Sequence, residues 1–374
     1  MKIVVAMDSF KGSLPAVRAC DIVAAAFRAV RPEAEVVLRP MADGGEGTAA
    51  ALMKAAGGQW IARTVTGPLP QMRVEAGFVW LPKTRTAVVE MATASGLQLL
   101  NAEQQNPLRT TTCGTGELIA AAVEHGAGRI LLAVGGSATV DGGVGAATAL
   151  GWRFLTKERR DVPLGGGVLT EIHKMIPPEA ALRADVEVLC DVDNPLCGPH
   201  GAARVYGPQK GATPGMVDTL EAGLAHLGTL AKEQLGRDVT DLPGAGAAGG
   251  LAAGAVAFMN ARLVSGIDTV MSHSGLPDAL ADAHWVVTGE GCLDEQSLRG
   301  KVVSGVTRIA HQTGTKVAVL AGRVRLSPSQ YRAAGIEAAL PCADDAMDTQ
   351  HAVANAAALL DKTARRFASA HLWG

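Results

Sequence analysis

The sequence predicts an α/β protein built on a parallel sheet, with a second, mixed α/β layer inserted into it. Three observations predict this. Short apolar runs alternate with Ala-rich helical stretches at both ends of the chain. Those runs end in polar, glycine-rich loops, as parallel strands do where they meet their binding loops. Between the two ends the rhythm changes to short extended segments cut by Gly67-Pro68 and Pro82.

Taken in order, residues 3–6 form the first predicted strand, ending in Asp8-Ser9-Phe10-Lys11-Gly12-Ser13. An Ala-rich helix follows to about residue 30. Residues 36–38 form a second strand, ending in Asp43-Gly44-Gly45-Glu46-Gly47-Thr48, with a helix to about residue 56. Residues 64–89 read as extended, near-antiparallel segments. A helix is predicted over about 116–124, and a strand over 129–134 that enters a glycine-rich loop at 135–143. Residues 186–189 form a strand ending in Asp191-Val192-Asp193-Asn194-Pro195. Towards the C-terminus, residues 285–287 form a strand before Gly289-Glu290-Gly291, and a helix covers about 301–312. Strands at 316–320 and 336–340 and one helix over about 349–370 complete the pattern. The outer domain therefore covers residues 1–62 and 263–374, and residues 63–262 form the insertion.

Composition narrows the function. Lys and Arg total 34 against 36 Asp and Glu, a net charge of −2 with no basic run, which argues against nucleic acid or an anionic membrane surface as the main partner. Aromatic residues make up 3%, too few for a base-stacking platform. Apolar residues reach 48% and charged ones 19%, which excludes a disordered chain. Glycine supplies 45 of 374 residues without a collagen period, so the excess belongs in loops and helix starts. The N-terminal apolar run is too short for a signal peptide, and the six cysteines form no C-x-x-C pair. A reducing, cytoplasmic setting is expected.

The loops carry the chemistry. The 135–143 loop, after a strand and before a helix, suits an anion: small residues let backbone N–H groups approach phosphate oxygens. A tight turn needing positive φ is the plain alternative. No Gly-Lys-Ser/Thr follows it, so it is not a Walker A loop. Lys11 stands in a loop with an acid and two hydroxyls, and could meet a carboxylate or a phosphate; an ordinary N-capped helix is the alternative. Asp43, Glu46, Glu290 and Asp294 lie in acidic loops that could hold Mg²⁺ or accept a hydroxyl proton. Asp191 and Asp193 would face one side of an extended strand end, as a metal ligand or a general base would. Lys210 adds a cation in a polar loop. No H-E-x-x-H and no G-x-S-x-G occurs, so zinc and Ser-triad hydrolysis have no support. Acidic loops, one glycine cradle and a lysine are the parts of phosphoryl transfer with Mg²⁺.

Seven motifs together resemble the bacterial class I glycerate kinases. They are Asp8-Ser9-Phe10-Lys11-Gly12-Ser13, Met41-Ala42-Asp43-Gly44-Gly45-Glu46-Gly47-Thr48, Gly135-Gly136-Ser137-Ala138-Thr139, Cys190-Asp191-Val192-Asp193-Asn194-Pro195-Leu196, Gly207-Pro208-Gln209-Lys210-Gly211-Ala212-Thr213, Leu242-Pro243-Gly244-Ala245-Gly246-Ala247-Ala248-Gly249-Gly250 and Thr288-Gly289-Glu290-Gly291. They keep their order over nearly the whole chain. The resemblance implies phosphorylation of D-glycerate by ATP with Mg²⁺, usually to 2-phosphoglycerate. It also implies a discontinuous Rossmann-like or flavodoxin-like three-layer domain, an inserted domain, and an active site in the cleft between them.

The resemblance assigns roles. Asp191 is expected as the base that orients the attacking hydroxyl, with Lys11 on the glycerate carboxylate or the transferred group. Asp8, Ser9, Ser13, Asp43 and Asn194 are expected at the substrate. Gly135, Gly136, Ser137, Asp141, Gly142, Gly143 and Lys210 are expected at the nucleotide phosphates, and Glu46, Glu290 and Asp294 at Mg²⁺, with Asp43 competing. The chain departs from the family pattern in four places. Cys292 stands where an arginine is common, Val140 where Asn is, Val303 where Pro is, and Arg323-Val324 where a Gly-Ser-like turn is. If the arginine holds a phosphate, another cation does so here. Two other readings stay open: a kinase for a related hydroxy acid or sugar acid, and a non-catalytic glycerate- or nucleotide-binding regulator. Self-association is left open as well.

Overall fold

A computed structural model describes residues 1–344 and 346–372. Its strands in chain order are β1 (Lys2–Met7), β2 (Glu35–Leu38), β3 (Gln59–Thr66), β4 (Arg73–Leu81), β5 (Thr86–Glu90), β6 (Arg129–Ala133), β7 (Arg153–Leu155) and β8 (Lys174–Ile176). They continue with β9 (Asp185–Leu189), β10 (Arg262–Val264), β11 (Trp285–Gly289), β12 (Cys292–Leu293), β13 (Lys316–Ala321), β14 (Arg323–Val324) and β15 (Ala338–Pro341). The chain forms two compact units. The first is Met1–Asp43, Ala50–Gly57 and Ile267–Gly374; the second is Gly44–Ala49 and Gly58–Gly266. Among the described residues no helix is long and apolar enough to cross a membrane.

The first unit is a five-stranded sheet in the order β15-β13-β11-β1-β2, with every neighbouring pair parallel. Numbered within the unit, that order is 2-1-3-4-5 read from the other edge, the flavodoxin-like arrangement. Its strands carry no polar face because both faces are covered. In β1, Ile3, Val5 and Met7 join one apolar cluster with Phe27, Trp285, Leu360 and Phe367. Val4 and Ala6 point the other way, into a cluster with Val286, Val303, Val306 and Val317. Helices Ala16–Val30 and Ala356–His371 supply the first cover, and helix Val302–Thr313 the second.

The second unit has a six-stranded mixed sheet in the order β10-β9-β6-β5-β4-β3. The strands from β10 to β5 are parallel, whereas β3, β4 and β5 pair antiparallel, as the Gly-Pro-punctuated segment predicts. Helices Cys113–Glu124 and Leu251–Met259 contribute to its main core. The 22-residue helix Pro214–Leu235 builds a second core through Leu220, Leu224 and Leu227.

One predicted element divides. In place of a single helix over 349–370 there are two, Thr349–Ala354 and Ala356–His371. Asn355 interrupts them: its side-chain amide donates to the His351 carbonyl at 2.9 Å, beside its own backbone N–H bond to the same oxygen. Short polar side chains compete with helix geometry in this way.

Phe367 is fully buried, 5.9 Å from the Phe27 ring and 5.3 Å from Trp285. Phe367→Ala is expected to lower unfolding stability by about 3–5 kcal/mol. Urea denaturation followed by tryptophan fluorescence measures it.

Candidate active site

In the first unit the strand order reverses between β1 and β11, and ligands of open α/β sheets bind at the carboxyl ends of such a pair. Met7 and Gly289 are register partners there, and Asp8 donates its backbone N–H to the Gly289 carbonyl at 2.9 Å. Asp8 and Glu290 are thus the first residues beyond two adjacent strands, and Asp43 follows the third, β2. All three line one cavity of about 460 Å³, as do Ser9, Lys11 and Ser13. The loop after β1 is fixed by Ser13 Oγ, which donates to the Phe10 carbonyl at 3.0 Å.

The charges here are out of their ordinary range. Burial first, and then the neighbouring charges of Asp43 and Glu290, lift the Asp8 carboxyl to about 7. The Ser9 backbone N–H, 2.6 Å from Oδ1, and Lys11 oppose that rise. Glu290 is also raised, by burial first, against the opposing Ser297 hydroxyl and Lys301. Its Oε1 is buried with no hydrogen-bond partner. Asp294 caps its own turn, accepting from the backbone N–H of Gln296 at 2.9 Å and of Ser297 at 3.3 Å.

In the second unit the loop after β6 packs against the loop 44–47. A Cβ on Gly135 would lie 2.7 Å from Gly45 Cα, so only glycine allows this approach. Gly136 is exposed and Ser137 half-buried, and they form the outer edge of the loop. The rest of the expected cradle turns inward. Asp141 is fully buried and accepts from Thr112 N at 2.8 Å, Thr112 Oγ1 at 2.9 Å, Gly143 N at 3.1 Å and Gly145 N at 3.3 Å. Gly142 and Gly143 are buried with it.

Lys210 is 2% exposed, and its Nζ donates to Ser137 Oγ at 2.6 Å and the Thr139 carbonyl at 2.7 Å. Burial pulls Lys210 down to about 7, against the opposing Asp141 charge. Of the residues expected at the phosphates, Lys210, Asp141, Gly142 and Gly143 frame the loop and are buried, and residues 135–137 reach its surface. Burial raises Asp141 as well, in spite of its four donors.

The remaining expected residues fall in both units. Asp191 is exposed and accepts from the Gly266 backbone N–H at 3.0 Å. The Asn194 side chain is engaged at both ends, donating to the His200 carbonyl at 2.8 Å and accepting from Tyr206 Oη at 2.6 Å. Glu46 is exposed and belongs to the second unit, whereas Glu290 and Asp294 line the cavity of the first. Among the described residues, no three His, Cys, Asp or Glu side chains gather as a metal cage.

One residue was missed. Glu90 closes β5, is 8% exposed, and accepts the Ala49 backbone N–H at 2.6 Å. Burial raises it to about 7, assisted by Glu46. It anchors the start of helix Thr48–Ala56, where a carboxylate complements the helix dipole. An acid ending an apolar strand run was the available signal. The arginine that the resemblance expects at 292 has a neighbour instead: Cys292 in β12 is the register partner of Arg323 in β14.

The model of the Glycerate kinase family matches residues 3–372. A protein named glycerate kinase from Bacillus subtilis (strain 168) is 42% identical over 372 residues, covering 99% of this chain and 97% of that protein. Glycerate 2-kinase from Escherichia coli (strain K12) is 42% identical over 341 residues, covering 90% and 89%. A crystal structure of a candidate glycerate kinase 2 from Salmonella typhimurium LT2 superposes with a TM-score of 0.87 at 40% identity, covering 99% of this chain and 97% of that one.

Asp8 makes a stability prediction. Its folded value is about 7 against an ordinary 3.8, so the folded form binds the extra proton between those limits. Its favourable contribution is complete below pH 3.8 and is lost as pH rises through about 7. Asp8→Asn cannot ionise. Its melting temperature is therefore expected to exceed that of the wild type at pH 8, with the gap closing towards pH 4. A pair of calorimetric melts at each pH measures this, and a gap independent of pH would refute it.

Proposed function

This chain belongs to the glycerate kinase family, and on that premise we propose that it transfers the γ-phosphoryl group of ATP to D-glycerate with Mg²⁺, giving 2-phosphoglycerate. One observation carries the reading: Asp8, lifted to about 7, stands with Asp43, Glu290 and Lys11 around a cavity at the reversal point of a parallel sheet. A general base works best with its pKa near the working pH. In its ionised form Asp8 accepts the proton of the glycerate hydroxyl. That oxygen attacks the γ-phosphorus, the bond to the β–γ bridging oxygen breaks, and its electron pair leaves with ADP. The protein's task is placement and charge neutralisation.

Lys11, exposed on the same loop, meets the glycerate carboxylate or the transferred group, with Ser9, Ser13 and Asp43 at the hydroxyls. The edge at Gly136 and Ser137 offers backbone N–H groups to an anion. The geometry favours Asp8 over Asp191 as base, because Asp191 is exposed and already bonded to Gly266 N. Mg²⁺ usually takes one or two carboxylates, with waters and phosphates completing its shell. Glu290, whose Oε1 is buried without a partner, fits that need, with Asp294 beside it. When bound, the ion would neutralise β- and γ-phosphate charge. The 2-phosphate product is supported by the name of the Escherichia coli relative. The free thiols of all six cysteines support a cytoplasmic setting.

The test is coupled ADP release with D-glycerate, ATP and Mg²⁺, with phosphorus NMR on the product. We expect 2-phosphoglycerate, a kcat that rises to a plateau above pH about 7, and a loss of about 10²–10⁴-fold in kcat for Asp8→Asn. Asp191→Asn is expected to keep kcat within a few-fold; loss there with retention in Asp8→Asn would make Asp191 the base. Turnover confined to another hydroxy acid or sugar acid would reassign the substrate, and ligand binding with no ADP release would replace the enzyme by a regulator.

A further inference from the structure

Resting on the ATP-dependent reading above, we propose that the nucleotide is held within the first unit alone. Its triphosphate lies along Lys301, Arg323 and Arg325, and its nucleoside against Val353, Ala356 and Leu359. All six side chains line the cavity that begins at Asp8.

Size comes first. The cavity measures about 460 Å³. Sites for ligands of drug size run from roughly 300 to 1,000 Å³. D-glycerate, a three-carbon acid, leaves most of that space to a larger partner.

Charge comes second. The carboxylates Asp8, Asp43 and Glu290 and the cations Lys301, Arg323 and Arg325 line the same cavity, and Lys301 acts on Glu290 across it. Among the described residues none of these three cations forms a salt bridge. Arg323 is steadied by donating to the Met347 carbonyl at 2.7 Å, which leaves the other guanidinium N–H groups available. Lys301 precedes the 12-residue helix Val302–Thr313, whose dipole adds positive potential at the same place. Guanidinium groups match phosphate oxygens bidentately.

The apolar wall comes third. Val353 is 42% exposed, one of only four large hydrophobic side chains so exposed among the described residues. It borders the cavity together with Ala356 and Leu359, so a purine would cover surface that water now meets. The glycine loop of the second unit, the place expected from the sequence, offers an anion edge at residues 135–137, while its lysine is buried beneath it.

The experiment uses the full chain. ATP affinity is measured by calorimetric titration with Mg²⁺, and the KM values of ATP and D-glycerate by ADP release. Arg325 and Val353 are exposed, so Arg325→Ala and Val353→Asp preserve the core. Both are expected to weaken ATP by about tenfold or more, leaving the D-glycerate KM within about threefold. Unchanged ATP affinity in both variants would overturn the placement. So would weakened ATP binding in Ser137→Ala alone, which moves the nucleotide to the glycine loop. A wild type that binds and consumes no ATP fails the kinase reading itself. A wild type that turns over ATP while both variants match it fails the placement only.

Discussion

The junction of β1 and β11, which sets Asp8 and Glu290 side by side and out of water, is the constraint on which the first unit turns. Both carboxyls resist ionisation, by burial first, and for Asp8 the charges of Asp43 and Glu290 add to that. Asp8 and Glu290 leave neighbouring parallel strands at matching register, and the Asp8 N–H is bonded into the β11 end. A rigid support is needed because the groups are also taken out of water, which penalises their charged forms more than their repulsion does. The support is the double apolar cover of β1, with successive residues packed into opposite clusters. The effect is local: a carboxylate whose pKa is raised towards neutrality is a stronger base in its ionised form, which is what the proposed role of Asp8 requires.

The second unit buries charge for a different purpose. Lys210 and Asp141 lie beneath the glycine loop and use their hydrogen bonds to shape it. Burial disfavours the charge of each; Asp141 favours that of Lys210, and four hydrogen-bond donors favour that of Asp141. Buried charges contribute little to net stability, since the desolvation penalty rivals what their hydrogen bonds return. Their effect is specificity of shape. Ser137 and the Thr139 carbonyl are held by one ammonium group, while Thr112, Gly143 and Gly145 are gathered onto one carboxylate. The short exposed edge at Gly136 then has a fixed conformation.

Most of this was legible in the chain, and the limits are physical. β1 and β11 could be read because a strand buried on both faces is a continuous apolar run. The acidic loops could be read because each breaks such a run abruptly. What could not be read was depth. Lys11 and Lys210 look alike in sequence, yet one is exposed and the other is 2% exposed, because helix Pro214–Leu235 and its core form around the second. That helix was itself missed, although Thr213-Pro214 is a start signal and Val217, Leu220, Leu224 and Leu227 keep helical spacing. Glu90 was missed because a charge at the end of an apolar strand gains its meaning only from the Ala49 N–H, forty-one residues away in sequence. Asn355 split a helix by a local bond that periodicity does not see.

The cavity's basic side follows from the same alternation that builds the sheets. Side chains two apart on a strand share a face. Val324 and Leu326 pack into the core of the first unit, which turns Arg323 and Arg325 to the other side, where both line the cavity. Cys292, in register with Arg323, leaves that position without a positive charge of its own. The thiol stays protonated, raised chiefly by burial, so it adds no negative charge against the arginines. A cation at 292 would extend from β12, whereas the cation at 323 extends from β14 and is steadied by the Met347 carbonyl. Positive potential is thereby kept on this side of the cavity while its attachment to the backbone shifts by one strand. A phosphate held there is gripped from the β14 side, the side that also carries Arg325.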